Sequence, residues 1–341
     1  MASSISKLTL LAGIIPVASI GSAGYAAYRI DWANAVQNFV TGPGRTSRIL
    51  LLLFVIFNWK NMPFAWTYRV WSGMLYHMFL RKSPVLTPKA LFKPMITPSH
   101  TPLLEIDYNL HKSNSTYFAD LDVARAHLVT FLARAATEDL ARNVETKIVL
   151  DPKTGKPIKG PIGVMLGAVA CSFKREIAPY KGYEMWSRIL SWDRKWLYIV
   201  THYVPKGTAK PTEWLDPRCG LSKRGPKDAT GDWQKKIYAT AISKYVFKID
   251  RFTVHPAHVL GGRSNLLPER PGGWMSGEEQ VGDLSIDVSD VDLSVEGEWD
   301  WRRVEAQRRQ GMKMASNFQG LEELHDVFDG GNNGAIGMFG S

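Results

Sequence analysis

A single long helical pattern followed by a succession of strand-like runs constrains this chain more than any other feature. Across residues 116–143, apolar side chains recur at Leu121, Ala124, Leu128, Leu132 and Ala135, the spacing that lines one face of a helix. Ser113, Asn114, Ser115 and Thr116 stand at its start with side chains suited to capping. Residues 101–107 read as a short strand ahead of the helix. Behind it lie strand-like runs at 147–150, 163–176, 184–191, 195–205 and 236–252. The breaks at Lys181-Gly182 and Trp192-Asp193 are short enough for antiparallel hairpins, whereas 206–234 is a long polar excursion. One strand, one long helix and four or five antiparallel strands predict an α+β domain whose sheet wraps the helix.

The junction of strand and helix carries the densest chemistry. Asp107-Tyr108-Asn109-Leu110-His111 sets a carboxylate, an amide and an imidazole just ahead of a helix whose first turn presents unpaired main-chain N–H groups. A carbonyl oxygen arriving there meets donors and the positive end of the helix dipole, with a carboxylate nearby to act as base or nucleophile. The same residue types are also ordinary helix caps, so local physics leaves a catalytic and a purely structural reading open. Asp120, Asp122 and Arg125 read as groups on the helix surface or in salt bridges.

The run D-Y-N-L-H-K-S-N-S-T-Y at 107–117, followed by F-A-D-L-D-V-A-R, resembles the signature of 4-hydroxybenzoyl-CoA-type hotdog thioesterases. In that signature an Asp is followed by His, an Asn pair, an aromatic residue ten positions on and a helix carrying Arg. The resemblance implies a hotdog fold with Asp107 as the catalytic carboxylate. It also implies that the main-chain N–H of Asn114 polarises the thioester carbonyl and that His111 assists positioning or proton transfer. Asn109, Ser113, Tyr117 and Arg125 fall at the remaining motif positions and are expected to meet substrate. Ser113 replaces the first Asn of the usual pair, and Leu110 a common Gly. The later run FKREIAPYKGYEMWSRILSWDRKWLYIVTHYV, with its W-D-x-K-x-x-Y hairpin, fits the same family, and the resemblance spans about residues 95–255.

Within the family the chain is similar to a membrane-associated branch that includes thioesterase superfamily member six and fungal proteins of lipopeptide or polyketide biosynthesis. This implies hydrolysis of acyl-CoA or carrier-bound acyl thioesters, with coenzyme A entering only as part of the substrate, and a homodimer. The alternative is a non-catalytic acyl-binding or scaffolding hotdog protein at a membrane. A hydratase motif would require a Gly before Asp107 and a Pro after Asn109, and both are missing. Lys223 and Arg224, in the 206–234 excursion, either meet the phosphates of coenzyme A or belong to a solvated loop.

A formal net charge of +10 favours an anionic partner. With no zinc-finger spacing or RNP-type motif to indicate nucleic acid, membrane or coenzyme A is the expected anion. Two cysteines, Cys171 and Cys219, indicate neither a disulfide framework nor a metal site. Residues 8–28 carry no charge and have the length of a bilayer span, which reads as a single-pass anchor in the endoplasmic reticulum or mitochondrial membrane, or else as a cleaved targeting segment. A shorter apolar run at 49–57, then Trp59, Trp66, Tyr68, Trp71 and Tyr76 interleaved with Arg69 and Arg81, suits either the headgroup region or packing on the domain. The predicted organisation is therefore 1–82 for attachment, a Pro-rich linker at 83–100 and the hotdog domain at 101–260. A Gly/Pro and acidic linker at 261–297 and a C-terminal helix with tail at 298–341 complete it.

Overall fold

A computed structural model describes residues 28–81, 86–209, 211, 214–215, 233–269, 276–277, 287–318 and 320. The chain divides into two compact units, Met1–Trp59 and Lys60–Ser341. In the first, α1 (Trp32–Thr41) is capped by Asp31, whose side chain accepts the Asn34 N–H. Gly44, in the left-handed conformation, starts α2 (Arg45–Phe57). Among the described residues no single helix is long and apolar enough to cross a membrane, and α1 and α2 pass that test only as a pair bent by 106°. Almost all of the expected span at 8–28 lies outside the described residues.

The second unit opens with α3 (Ala65–Leu75), which continues through Tyr76–Leu80 as one wide π turn. Its polar face points inward. Arg69 reaches Asp120, Gly73 lies against the His127 ring, and His77 Nε2 is 3.0 Å from His127 Nδ1. Outward it presents Trp66, Tyr68, Trp71 and Leu75, all exposed. Residues 60–81 are thus part of the body of this unit, which begins at Lys60.

Five strands form an antiparallel sheet in the order β1-β3-β4-β5-β2, and β6 adds to β5. They are β1 (Met95–His100), β2 (Ile162–Phe173), β3 (Gly182–Trp192), β4 (Leu197–Pro205), β5 (Ala239–Ile249) and β6 (Phe252–Val254). The first strand lies inside the expected linker, and 101–107 forms instead a 3-10 turn (Leu103–Glu105) and a loop. Prolines misdirect the reading there. At an edge a strand needs only one side of its ladder, so Pro98 is tolerated opposite Glu184.

The hairpin expected at Lys181-Gly182 does not form either. β2 pairs with β5 along its whole length, and β3 lies between β1 and β4. The intervening residues are held elsewhere, with the N–H groups of Lys174 and Arg175 on the Tyr238 carbonyl and Ile177 fully buried. The hairpin at Trp192-Asp193 does form, because the Asp193 carboxylate accepts the N–H groups of Lys195 and Trp196, both at 2.7 Å. Residues 147–150 contribute one isolated bridge, Leu150 to Pro157.

The long helix, α4 (Thr116–Ala141), lies against this sheet. Its first half buries Leu121 and Ala124 with Tyr183, Met185 and Tyr203, and its second half buries Leu128, Leu132 and Ala136 with Ile189, Trp192, Ile199 and Phe247. Each leucine removed from water in this way contributes about 1.5–3 kcal/mol. The short helix α5 (Pro256–Leu260) follows β6, and α6 (Trp301–Ala315) lies on β3, with Gly311 directly against the Leu190 carbonyl. The result is an α+β hotdog arrangement of one helix held by an antiparallel sheet.

Candidate active site

The loop between the 3-10 turn and α4 is closed by its own main chain. The Asp107 N–H donates to the His111 carbonyl (3.0 Å), the Leu110 N–H to the Asp107 carbonyl (3.0 Å) and the Ser113 N–H to the Glu105 carbonyl (2.7 Å). Across the gap to the sheet, the Lys112 N–H donates to the Ile177 carbonyl at 2.9 Å. Asp107 Oδ1 accepts the Asn109 N–H at 2.9 Å, an Asx turn that sets up the reversal. Leu110 takes φ of 61°, the left-handed region, at the position where the family signature has Gly. Its side chain is exposed.

Asp107 and His111 share this loop, and their side chains are about one fifth exposed. The nearest Asp107 oxygen is 3.6 Å from His111 Nδ1, beyond a hydrogen bond, while that nitrogen lies 3.3 Å from the Lys112 carbonyl. A donor Nδ1–H suits the carbonyl and leaves Nε2 facing Glu176 at 3.8 Å. The imidazole therefore stands beside the carboxylate without being clamped to it.

None of the polar residues at the head of α4 caps it. Ser115 makes no capping hydrogen bond, Ser113 Oγ meets Ser115 Oγ at 3.1 Å, and Thr116 Oγ1 donates to the Ser113 carbonyl. The N–H groups of Thr116, Tyr117 and Phe118 find carbonyls at Ser113, Asn114 and Ser115. Those of Asn114 and Ser115 have no acceptor among the described residues, and both residues are exposed. Two adjacent donors at a helix N-terminus, at the end of the loop that carries the Asp107 carboxylate, can hold a carbonyl oxygen as it gains negative charge. The polar residues of the motif thus do not act as side-chain caps of α4, and Asp107 serves the turn of its own loop.

The remaining expected site residues are not brought together here. Asn109 is exposed on the loop, and Ser113 is half-buried. Tyr117 is a core residue whose ring packs against Phe173 and Tyr203, and burial pushes its hydroxyl well above the usual tyrosine range. Arg125 is buried farther along α4, donating to Ser243 Oγ (2.6 Å) and Asp122 (2.5 Å). It is a packing and pairing residue rather than a surface group. Lys223 and Arg224 lie outside the described residues. Two cavities, of about 540 Å³ near Trp301 and Arg263 and about 340 Å³ beside Trp186 and His202, are lined by none of these groups.

Directly behind the loop sits a group of charges that sequence reasoning missed. Lys60 Nζ lies 2.9 Å from Asp120 and 2.9 Å from Glu105, Lys112 Nζ lies 3.1 Å from Asp120 and also donates to Glu105, and Arg69 reaches the other Asp120 oxygen at 2.8 Å. The Tyr183 hydroxyl donates to Asp120 as well. All but Arg69 are essentially inaccessible. Burial by itself would raise the Asp120 carboxyl, yet Lys60, Lys112, Arg69 and the Tyr183 hydroxyl outweigh it and hold that group far below the usual carboxylate range. Asp120 thus belongs to a buried ion cluster and not to the helix surface. Among the described residues no group of three or more His, Cys, Asp or Glu side chains could hold a metal ion.

A hotdog sheet, a carboxylate loop and an uncapped helix head together define the class of acyl-thioester enzymes, and comparison with known proteins agrees. The model of the thioesterase-like superfamily matches residues 101–214. Thioesterase poxG of Penicillium oxalicum is 35% identical over 301 residues, covering 86% of this chain and 89% of the relative. Probable thioesterase atnL of Emericella nidulans is 30% identical over 317 residues, covering 89% and 93%. Thioesterase lcsJ of Purpureocillium lilacinum is 33% identical over 297 residues, covering 77% and 86%. Among solved structures, YbaW probable thioesterase from Escherichia coli covers 50% of this chain and 97% of its own, at 12% identity and a TM-score of 0.31. The chain belongs to the thioesterase-like superfamily.

Proposed function

We propose that this protein hydrolyses acyl thioesters, carried on coenzyme A or on a carrier protein, in the processing of lipid, polyketide or lipopeptide intermediates. The observation that carries the reading is the pair of unpartnered N–H groups at Asn114 and Ser115 beside the Asp107 loop. The thioester oxygen rests on these donors, and Asp107 either draws a proton from water as it attacks the carbonyl carbon or attacks that carbon itself. The C–S bond breaks and the thiolate leaves and takes up a proton; the acid is released directly where water attacked, and by water cleaving the acyl anhydride on Asp107 where the carboxylate attacked. His111 assists positioning or proton transfer. The names of the relatives support the reaction class, and the family signature supports the roles.

The test is hydrolysis of a panel of acyl-CoA chain lengths by the full-length protein, beside Asp107→Asn. Wild type should turn over at least one chain length, with kcat in the variant lower by about 10²–10⁴-fold and the melting temperature unchanged. Full activity in the variant would remove Asp107 from the mechanism. Binding without turnover would instead favour a non-catalytic acyl-binding protein, a role that the Asx turn at Asp107 would also suit.

The site is placed at a membrane in this proposal. Residues 50–57 of α2 are exposed without exception, as are Trp66, Tyr68, Trp71, Phe79 and Leu80, and residues 8–28 suit a single-pass anchor in the endoplasmic reticulum or mitochondrial membrane. Carbonate extraction should leave the protein in the membrane pellet, whereas release would remove the anchor. A homodimer is also proposed, supported by the edge position of β2 and the exposure of Val164, Met165 and Leu166 along it. Sedimentation in detergent should give two chains, reduced to one by Met165→Lys.

A further inference from the structure

The buried charges behind the loop are unequal in number, with three cations, Lys60, Arg69 and Lys112, against two carboxylates, Glu105 and Asp120. We infer that Lys60 is a positioning residue for the thioester site, joining both ends of the 107–114 loop to the first turns of α4 and placing the surplus positive charge behind the donors that receive the oxyanion. This rests on the hydrolase reading above.

The geometry assigns that role to Lys60 through its partners. Its ammonium carries three hydrogens and meets four groups, the His100 carbonyl (2.9 Å), Glu105 (3.0 Å to Oε2), Asp120 (2.9 Å) and the Tyr183 hydroxyl (3.2 Å). Glu105 binds the loop twice, its carbonyl accepting the Ser113 N–H and its carboxylate accepting from Lys112. Asp120 lies one turn inside α4, below Tyr117, whose ring is 5.2 Å from Lys112 Nζ. Lys60 alone of these groups touches β1, the 3-10 turn ahead of the loop, α4 and β3 together, and it reaches the loop through Glu105.

Removing Lys60 leaves two cations facing two carboxylates, a balanced cluster that a fold tolerates better than a buried surplus. Folding and catalysis therefore separate at this residue. The groups that face Lys60 are Asp120, Glu105, Lys112, Tyr183 and His100, with Arg69 behind Asp120. Burial lowers the Lys60 pKa, and Lys112 lowers it further against the opposing pull of Asp120 and Glu105. Raising the pH thus neutralises Lys60 before an ordinary lysine.

The experiment compares wild type, Lys60→Met and Lys60→Arg as full-length proteins by three readouts: acyl-CoA hydrolysis against pH, melting temperature, and hydrogen exchange of the peptide covering 105–117. In Lys60→Met, kcat should fall about tenfold with little change in KM, and the 105–117 amides should exchange faster while the melting temperature holds. Wild type should lose kcat on the alkaline side, and Lys60→Arg, which keeps its charge, should restore slow exchange and move that limb to higher pH. Unchanged exchange and kcat in a folded Lys60→Met protein would overturn the inference. An alkaline limb identical in wild type and Lys60→Arg would do the same, and it decides the matter if the Met variant does not fold. A wild type that hydrolyses no thioester would sink the hydrolase reading alone, since exchange at 105–117 still reports whether Lys60 holds the loop.

Discussion

Two buried ion clusters fasten helices to the sheet at opposite ends of β3, and they are built differently. At Tyr183, Lys60 and Arg69 come from far upstream, 60 and 51 residues from Asp120, to meet a carboxylate on another helix. At Ser191 and Trp192, the second cluster is almost wholly internal to α6. Glu305 accepts a fork from Arg308 (2.9 and 2.8 Å) and a bond from Arg309 (2.7 Å). Arg308 then donates to the Trp192 carbonyl (2.9 Å), and Ser191 Oγ donates to the Arg308 carbonyl (2.8 Å). Tyr183 and Ser191 are eight residues apart, so the two sites stand about 27 Å from each other along the strand. Similar chemistry serves separate ends: the first cluster supports the reactive loop, and the second holds a helix down.

That contrast is open to direct attack, beginning with the largest effect. Asp120→Asn leaves three cations facing the single carboxylate of Glu105, so it should cost about 3–5 kcal/mol in denaturant unfolding and abolish thioester hydrolysis with it. Glu305→Gln should be milder, about 1–3 kcal/mol, because the amide oxygen keeps one guanidinium contact. Its kcat measured well below the melting transition should stay within a factor of two of wild type. A large loss of kcat in that variant would show that the two clusters are not functionally separate. Gly311→Ala places a methyl group against the Leu190 carbonyl and should destabilise by about 1–3 kcal/mol, again with kcat preserved.

The smallest effect is a pH dependence on the α6 side of the molecule. Burial holds the His255 imidazole down at about 4, and its Nδ1 accepts the Ala257 N–H at 3.0 Å, capping α5 in the neutral form. Burial, with Arg188 and Lys174, holds His202 at about 4 as well. Below the ordinary value of 6.5 the unfolded chain binds these protons and the folded chain does not. Stability should therefore fall as pH drops from 6.5 toward 4. His255→Asn, which keeps a cap acceptor and loses the titration, should flatten part of that slope in thermal melts. The depressed Asp120 carboxyl acts lower down, its contribution present above the ordinary aspartate pKa and lost as the medium becomes more acid than that.

Much of this body was legible in the sequence, for physical reasons that differ by element. α4, β4 and β5 announce themselves because periodicity and length agree with the state each adopts. β1 was hidden by its prolines, and the β2–β3 break looked like a hairpin because a short gap says nothing about which strand lies alongside. In α3 the aromatic residues were conspicuous but the direction they face was not, since Arg69, Gly73 and His77 face inward and the aromatics outward. Of the site, the 107–117 motif and the Asn114 N–H were readable through the resemblance to a family, and the lack of a side-chain cap and the second donor at Ser115 only in three dimensions. Lys60, Lys112, Glu105 and Asp120 look like surface residues in a string of letters. Their partners lie as far as 123 residues apart, and polarity alone predicts exposure for them.

The reach of Lys60 bears on how this protein can be cut. A fragment trimmed to the matched stretch, 101–214, would start after β1 and stop before β5. It would open both flanks of the β3–β4 ladder and leave Asp120 and Glu105 without the lysine that joins them. Such a piece should emerge from expression as an aggregate, and the shortest segment able to fold on its own should include β1 and β5, with Lys60 needed beyond that for the site.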